Sequence, residues 1–294
     1  IAPYGAAVYL GGAEPLLRRD FFDIVAHIKH RGLRASFTTN GTLLTARKIE
    51  KLVAMQVDHV TFSVDGDETL HDRIRGTGSY KRVVWSIQTL CQRRNAAGAT
   101  RPGISVNIAV TGPLVSRLTS ALAAIRDATG DLPDIYRIHH LWYVTPEELT
   151  AHQSATRRLL GCGAPGAASH VIPRSQVDEA TLLAAELRVA RAWPKVTCFP
   201  DLSDEEVVAY YTDPDGDRPR CVAPFFQVLV KPNGDVLFCP DGWIDDFVLG
   251  NVRQESFEDI WNGERARKFR QVLFAEKSFP ACRRCSFMYS GRGR

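Results

Sequence analysis

Four cysteines in the last quarter of the chain have the residue type and spacing of a metal site. Cys221 and Cys239 enclose an apolar stretch, and Cys282 and Cys285 form a Cys-x-x-Cys pair further along the chain. Such a pair brings two thiolates to one metal, and four thiolates suit either tetrahedral zinc or a [4Fe–4S] cluster. Zinc sites more often combine two Cys-x-x-Cys pairs, so the presence of one pair favours iron.

Two other interpretations of these cysteines stay open at this point. Each could be a small buried apolar side chain, which is the ordinary state of a lone cysteine. Disulfide bonds are the second alternative, but the chain has seven cysteines, an odd number, and shows no secretory signal. These features favour a reducing compartment, so we expect a cytoplasmic protein.

The segments between the cysteines indicate how the four side chains could meet. Two apolar runs between Cys221 and Cys239 are separated by Pro232-Asn233-Gly234-Asp235, which is typical of a β-hairpin. Helices are predicted around 257–261 and 266–274, before the Cys-x-x-Cys turn. We therefore predict that residues 212–294 form a small domain closed by a metal, and that its first residues, 212–220, are the linker to the rest of the chain.

The first part of the chain alternates short apolar segments with amphipathic ones. Strands are predicted near 6–10, 33–37, 57–62, 104–110, 135–140 and 196–199, and helices near 18–30, 45–55, 80–93, 114–128 and 176–192. The segment 71–80 is predicted to be a loop. This alternation is typical of an α/β fold with a parallel sheet, whose ligands bind at the carboxyl edge of the strands. We assign residues 1–211 to this domain.

Composition restricts the class of function. The chain of 294 residues is 45% apolar and 24% charged, as in ordinary globular proteins. It has no apolar run long enough to span a bilayer, so we expect no membrane partner. Its net charge of +4 is small and its basic residues are scattered, so we expect no nucleic-acid partner.

Three motifs follow the first three predicted strands. They are Gly11-Gly12-Ala13-Glu14-Pro15, then Thr39-Asn40-Gly41-Thr42, and then Ser63-Val64-Asp65-Gly66 followed by His71-Asp72-Arg73-Ile74-Arg75-Gly76. Together with the cysteine pattern, these motifs resemble the radical SAM enzyme superfamily, in its SPASM/twitch branch. The spacing from Gly234 to Cys239 matches the Gly-x4-Cys signature of that branch. The short twitch version fits best, because no cysteine follows Cys285.

The resemblance implies a fold and two sets of ligands. The fold would be a partial (β/α)6 barrel lacking its first strand, with a small C-terminal twitch/SPASM-like subdomain. Four cysteines would hold one auxiliary [4Fe–4S] cluster, namely Cys221, Cys239, Cys282 and Cys285. S-adenosylmethionine would be bound at the strand ends by Gly12, Ala13, Glu14, Pro15, Asn40, Ser63, Asp65 and Arg75.

Individual residues receive roles from the same resemblance. Glu14 supplies the acceptor that the methionine ammonium needs, and Arg75 could pair with the methionine carboxylate. Ala13 replaces the second glycine of the family motif, which is a mild change where φ is negative and a costly one where φ is positive. Asn40 serves either the cofactor or the turn that it caps.

The activity implied is that of an oxidoreductase. Reductive cleavage of S-adenosylmethionine would give a 5′-deoxyadenosyl radical, which abstracts hydrogen from an unactivated C–H of a small polar metabolite or a peptide. An electron donor such as flavodoxin or ferredoxin would be the protein partner. The substrate pocket could include His139, His140 and Cys198, although a core residue is the default interpretation of each.

One family motif is missing from the sequence. Radical SAM enzymes carry Cys-x3-Cys-x2-Cys on the strand before the Gly-Gly-Glu-Pro segment, and no such spacing occurs in these 294 residues. We expect that strand to precede Ile1 in the full-length protein, with a second [4Fe–4S] cluster, and the chain to be inactive without it. The alternatives are a pseudoenzyme or a non-catalytic binding module that carries zinc or a cluster.

Overall fold

The computed structural model describes residues 4–172, 179–213, 220–239 and 242–288. The chain divides into two compact units, one comprising Ile1–His140 with Thr181–Phe199 and the other Leu141–Ala180 with Pro200–Arg294. The second compact unit therefore takes in residues before 212, at which the sequence interpretation began its second domain. The predicted linker falls mainly on 214–219, which lie outside the described residues.

The first unit is built on one sheet of six parallel strands in chain order. The strands are β1 (Ala7–Leu10), β2 (Arg34–Thr39), β3 (His59–Ser63), β4 (Gly103–Ala109), β5 (Ile135–His139) and β6 (Val196–Phe199). Because each strand pairs in parallel with the next, all six carboxyl ends lie along one edge. The α/β fold predicted from the sequence is confirmed.

Helices connect the strands and also occur in the second unit. In chain order they are α1 (Phe21–His30), α2 (Ala46–Ala54), α3 (Glu68–Arg75), α4 (Ser79–Ala96), α5 (Leu118–Ala128), α6 (Pro146–Leu160), α7 (Ala180–Arg191), α8 (Asp204–Thr212), α9 (Phe257–Asn262) and α10 (Glu264–Glu276). No helix among the described residues is both long and apolar enough to cross a bilayer.

Three of these helices correct the sequence interpretation. The predicted loop 71–80 contains most of α3, whose N-terminus is capped by the Asp67 carboxylate accepting from the Leu70 N–H. Helices α6 and α8 were not predicted at all. Both begin with a capping box, formed by Thr145 with Glu148 and by Ser203 with Glu206, so the sequence did contain their start signals.

The sheet has one apolar face and one polar face, because successive side chains of a strand point to opposite sides. The apolar face packs Phe37, Phe62, Val106, Tyr136 and Ile138 into the core. Tyr136 reaches Thr129, at the end of α5, with a hydroxyl contact of 2.7 Å, so helices cover this face. In the strand register, the other face includes the apolar Ala109, Ile135 and Phe199, but most of its residues are polar, among them Tyr9, Ser36, Thr38, His59, Thr61, Ser63, Ser105, Asn107, Arg137, His139 and Thr197.

The second unit contains a small antiparallel sheet of β7 (Leu229–Val230), β8 (Asp235–Leu237) and β9 (Gly250–Asn251). The first two strands form the predicted hairpin, and its turn places Gly234 at a φ of +96°. A Cβ at this glycine would lie 2.5 Å from the Asn251 Oδ1 atom, so only glycine fits. The surrounding core is aromatic and includes Phe238, Trp243, Phe269 and Phe279.

A glycine in the loop after β2 gives a direct test of this part of the fold. Gly41 has a φ of +75°, and a Cβ there would lie 2.9 Å from Cγ2 and 3.2 Å from Cα of Val83. Gly41→Ala should lower the free energy of unfolding by about 2–4 kcal/mol, since backbone strain adds to overpacking. Urea denaturation measures this change.

Gly98→Ala is the matched control for that substitution. Gly98 also has a positive φ, of +59°, but nothing lies within 4 Å of its added Cβ. Strain alone should cost about 1 kcal/mol. If Gly41→Ala and Gly98→Ala lower the free energy of unfolding equally, the close contact between the added Cβ and Val83 has no energetic consequence.

Candidate cofactor and metal sites

The Glu14 carboxylate joins the ends of the first two strands of the sheet. It is buried, and it accepts the Leu16 N–H at 3.1 Å, the Asn40 N–H at 2.8 Å and the Thr39 hydroxyl at 2.9 Å. The motif after β1 and the motif after β2 are therefore held together by one side chain. Three donors already surround this carboxylate, so Glu14 has a structural role in addition to any contact with a ligand.

The neighbouring residues explain how the first motif tolerates its substitution. Gly12 has a φ of +121°, which favours glycine, whereas Ala13 is not among the residues with positive φ. The alanine therefore introduces no left-handed strain. Pro15 begins a short 3-10 turn, where its missing N–H removes no hydrogen bond.

Asn40 is engaged in its own turn. Its side-chain oxygen accepts the Thr42 N–H at 2.9 Å and the Thr42 hydroxyl at 2.7 Å. This is the capping role that the sequence interpretation gave as one of two alternatives. The side-chain oxygen of Asn40 is thus occupied by hydrogen bonds within its own loop.

The third motif closes on itself through an ion pair. The buried Asp65 carboxylate accepts from Nε of Arg75, and the Asp65 N–H donates to Nδ1 of His71 at 3.1 Å. Arg75 therefore has a carboxylate partner within the chain, whereas the sequence interpretation paired it with the methionine carboxylate. The N–H groups of Tyr80 and Gly78, at 2.8 and 2.6 Å, hold the pKa of Asp72 below its usual range.

A row of polar side chains crosses the sheet near the carboxyl edge. Ser63 of β3, Asn107 of β4 and Arg137 of β5 are register neighbours, and His139 lies two residues beyond Arg137. Burial, and to a lesser extent the charge of Arg137, lower the pKa of His139 to about 4, so its imidazole is neutral at pH 7. Within the described chain, the buried atoms Oδ1 of Asn107 and Nε2 of His139 have no hydrogen-bond partner.

Two of these residues, Asn107 and Arg137, were missed by the sequence interpretation. The signal was present, because β4 and β5 alternate polar with apolar residues in a period of two. Polar residues at the alternate positions mark the face that helices do not cover.

The other two pocket candidates are placed differently. Cys198 pairs in register with Ile138, so it lies on the apolar face, away from Arg137 and His139. This placement does not support a hydrogen-donating role toward a ligand on the polar face. His140 is buried, and mainly for that reason its pKa falls to about 3.

The four cysteines of the predicted metal site line a single cavity in the second unit. The wall of this cavity is otherwise apolar, including Phe238, Trp243, Phe269, Phe279 and Met288. Within the described residues, no set of three or more His, Cys, Asp or Glu side chains already has metal-ligand spacing. The donor set is nonetheless purely thiol, and sulfur ligands in an apolar wall fit an iron–sulfur cluster.

Arg284, inside the Cys-x-x-Cys turn, anchors that turn to α6 and α8. Its guanidinium is buried, donates to both oxygens of Glu148 at 2.7 and 2.9 Å, and donates to the Tyr210 carbonyl at 3.1 Å. The ring of Tyr143 lies 4.1 Å below the guanidinium. On the other side of the turn, His152 accepts the Ala281 N–H at 3.4 Å and contacts the Trp243 carbonyl at 2.7 Å.

Removal of one partner of this ion pair should have a large cost. Glu148→Ala leaves the Arg284 cation buried without its carboxylate, so unfolding should become easier by about 3–5 kcal/mol. Glu50→Ala is the control, because Glu50 and Arg93 are more than half exposed and 3.7 Å apart, and such pairs contribute at most about 1 kcal/mol. Chemical denaturation followed by fluorescence measures both, and a cost for Glu148→Ala near that of the control would contradict the assignment.

Comparison with known families identifies both parts of the chain. Residues 2–114 match the family model described as the radical SAM superfamily, and residues 221–286 match the SPASM model, described as an iron–sulfur cluster-binding domain. These two segments contain the three motifs and the four cysteines described above.

Curated relatives match over nearly the whole chain. The tungsten-containing aldehyde ferredoxin oxidoreductase cofactor-modifying protein of Pyrococcus furiosus is 25% identical, over 95% of this chain and 73% of its own length. The mycofactocin maturase MftC of Mycobacterium tuberculosis is 26% identical, over 97% of this chain. The chain spans only 65% of the length of that maturase.

Solved structures share the fold at low sequence identity. The chain matches native anSMEcpe with bound AdoMet and Kp18Cys peptide with a TM-score of 0.61 and 13% identity, over 95% of this chain and 74% of that one. It matches Streptococcus suis SuiB with a TM-score of 0.59 and 13% identity, over 88% and 55%. The motifs and the two family matches agree, and the chain carries a radical SAM domain over residues 2–114 and a SPASM iron–sulfur cluster-binding domain over residues 221–286.

Proposed function

We propose that this protein is a radical SAM oxidoreductase that modifies a peptide or a small polar metabolite. We further propose that Cys221, Cys239, Cys282 and Cys285 hold one auxiliary [4Fe–4S] cluster, in a twitch-type arrangement. The observation that carries this proposal is the convergence of the four cysteines on one cavity with an otherwise apolar wall. An apolar wall keeps water from the sulfur ligands, which is a condition that tunes such clusters.

S-adenosylmethionine would bind at the carboxyl edge of the sheet in the first unit. Glu14 offers a carboxylate to the methionine ammonium, and the backbone around Gly12, Ala13 and Pro15 lies beside it. Asn40, Ser63, Asp65 and Arg75 complete the proposed set, with Arg75 oriented by Asp65. When bound and reduced by one electron from a [4Fe–4S] cluster, the cofactor would yield methionine and a 5′-deoxyadenosyl radical, which would remove a hydrogen atom from the substrate.

The polar face would bind the substrate. Its neutral histidine and amide groups can orient a polar molecule without transferring a proton at pH 7, because the pKa of His139 is about 4. The names of relatives support both substrate classes. MftC is a maturase and another relative is a PqqA peptide cyclase, whereas the Methanosarcina barkeri relative is an AdoMet-dependent heme synthase.

A non-catalytic binding module that carries zinc or a cluster is the second candidate. It rests on the sequence, because the 294 residues contain no Cys-x3-Cys-x2-Cys spacing. Metal content distinguishes the zinc form of this module, which needs one ion, from the proposed site, which needs iron and sulfide. A module that carries a cluster is distinguished by its failure to bind S-adenosylmethionine.

Anaerobic reconstitution with iron and sulfide tests the cluster proposal. The chain should take up about four irons and four sulfides per protein and show a broad visible absorption band. Cys282→Ser and Cys239→Ser should each lose most of the bound iron, because a serine oxygen is a poorer ligand for iron than a thiolate. Cys162→Ser is the matched control in the same unit, since Cys162 is half-buried and does not line the cavity. Colourless protein with one zinc would refute the cluster.

Binding of S-adenosylmethionine tests the role of Glu14. The chain offers only hydrogen bonds and charge, each contributing about 0.5–3 kcal/mol, so titration calorimetry should give a millimolar dissociation constant. Glu14→Gln keeps an acceptor for the loop N–H groups but removes the charge that attracts the ammonium, so binding should weaken about tenfold. The same affinity in both proteins would place the ammonium elsewhere.

A further inference from the structure

Arg137 is a half-buried cation without a counter-charge in the described part of the chain. It lies in the middle of β5, on the polar face, with Asn107 of β4 on one side and Thr197 of β6 on the other. Among the residues that the structure describes, no carboxylate lies within ion-pair distance of its guanidinium. Two other arginines of the first unit differ, because Arg94 of α4 pairs with Asp134 at 2.6 Å and Arg75 of α3 pairs with Asp65.

The surroundings of Arg137 do not neutralise it. Desolvation by burial lowers its pKa, yet a guanidinium still keeps its proton at neutral pH. The charge of Arg137 in turn contributes to lowering the pKa of His59 and of His139, after the larger effect of burial. Both imidazoles are therefore neutral, and the positive charge of this part of the face belongs to Arg137.

An unpaired charge in a poorly solvated position is unfavourable, and proteins usually pair such groups. Within the part of the chain that the structure describes, two buried polar atoms of neighbouring residues also lack partners, namely Oδ1 of Asn107 and Nε2 of His139. A planar guanidinium with several N–H donors is suited to a carboxylate, which it can bind through two parallel hydrogen bonds. These groups together are complementary to an anionic, hydrogen-bonding ligand.

We propose that Arg137 binds a carboxylate of the substrate and thereby fixes the substrate on the polar face. The proposal rests on the proposed function, which places the substrate on this face. It adds that the substrate carries a carboxylate, and it makes Arg137 the residue that selects for it. Asn107 and His139 would hydrogen-bond neighbouring polar atoms of the same molecule.

Distance distinguishes this carboxylate from that of S-adenosylmethionine. The ammonium and carboxylate of methionine are attached to the same carbon, and the ammonium is assigned to Glu14, which bonds to the end of β2. Strand β5 is three strands from β2, or roughly 14 Å along the sheet. One methionine moiety cannot reach both places, so the anion at Arg137 belongs to a second molecule.

The test uses acetate as the probe, with acetamide as the neutral control. The side-chain NMR signals of His139, assigned with a His139→Gln variant, report binding beside Arg137. Acetate should shift these signals saturably and acetamide should not. Arg137→Gln should weaken acetate binding about tenfold or more, whereas Arg137→Lys should retain part of it, since a lysine keeps the charge without the planar fork.

Arg93→Gln is the matched control, because Arg93 is an exposed arginine on α4 and its loss should leave acetate binding unchanged. The proposal is overturned if acetate and acetamide act alike, or if Arg137→Gln binds acetate as the unaltered chain does. It is also overturned if millimolar S-adenosylmethionine abolishes the acetate shift, because the site would then belong to the cofactor. The readout requires neither iron nor turnover, so its outcome is independent of the cluster experiment.

A second arm identifies the source of the carboxylate. N-acetylglycylglycine and its C-terminal amide replace acetate and acetamide, since a peptide terminus and a small acid present the same group. Tighter binding of the peptide acid than of acetate supports a peptide substrate, and tighter binding of acetate supports a small acid. If N-acetylglycylglycine and its amide bind equally well, the site does not recognise a carboxylate, whether from a peptide or from a small acid.

Discussion

The alternation of side chains along six parallel strands is the constraint on which the first unit depends. One face must be apolar because the helices that connect parallel strands cover it, and Phe37, Phe62 and Ile138 meet that requirement. The opposite face is then released from core packing, and the chain places hydroxyl, amide, imidazole and guanidinium groups there. The register between β5 and β6 alone places Arg137 on this face and Cys198 on the opposite one. The polar groups of this face are therefore a consequence of the alternation of side chains along each strand.

The loops at the edge of the sheet are held in place differently, because acidic side chains accept hydrogen bonds from their backbone N–H groups. Glu14 accepts backbone N–H groups from two loops, and Asp72 does the same for the start of α4. Such contacts fix loops that would otherwise be free to rearrange. They also explain why loops rich in Gly, Asn and Asp can present a reproducible surface at the strand ends.

The sequence was informative where local patterns decide the structure. The alternating segments predicted the parallel sheet, and Pro232-Asn233-Gly234-Asp235 predicted the hairpin that follows Cys221. It was less informative where a partner distant in sequence decides. The pairing of Arg284 with Glu148, for example, joins residues 136 positions apart in the chain. The missed helices α6 and α8 are a different case, because the capping box at the start of each helix is visible in the sequence and could have predicted it.

The position of Arg284 between two cysteines has a consequence for assembly. Its side chain secures the Cys-x-x-Cys turn to α6 through Glu148 and to α8 through Tyr210, using contacts that involve no metal. Many small metal-binding domains fold only around their ion, so that metal uptake and chain ordering are one event. Here the Cys-x-x-Cys turn is already ordered in the folded chain, so part of its conformational entropy has been lost before a cluster binds. The entropy cost that opposes cluster binding would therefore be smaller. The order of events would then be folding first and iron second, with the protein acting as a template that receives its cluster late.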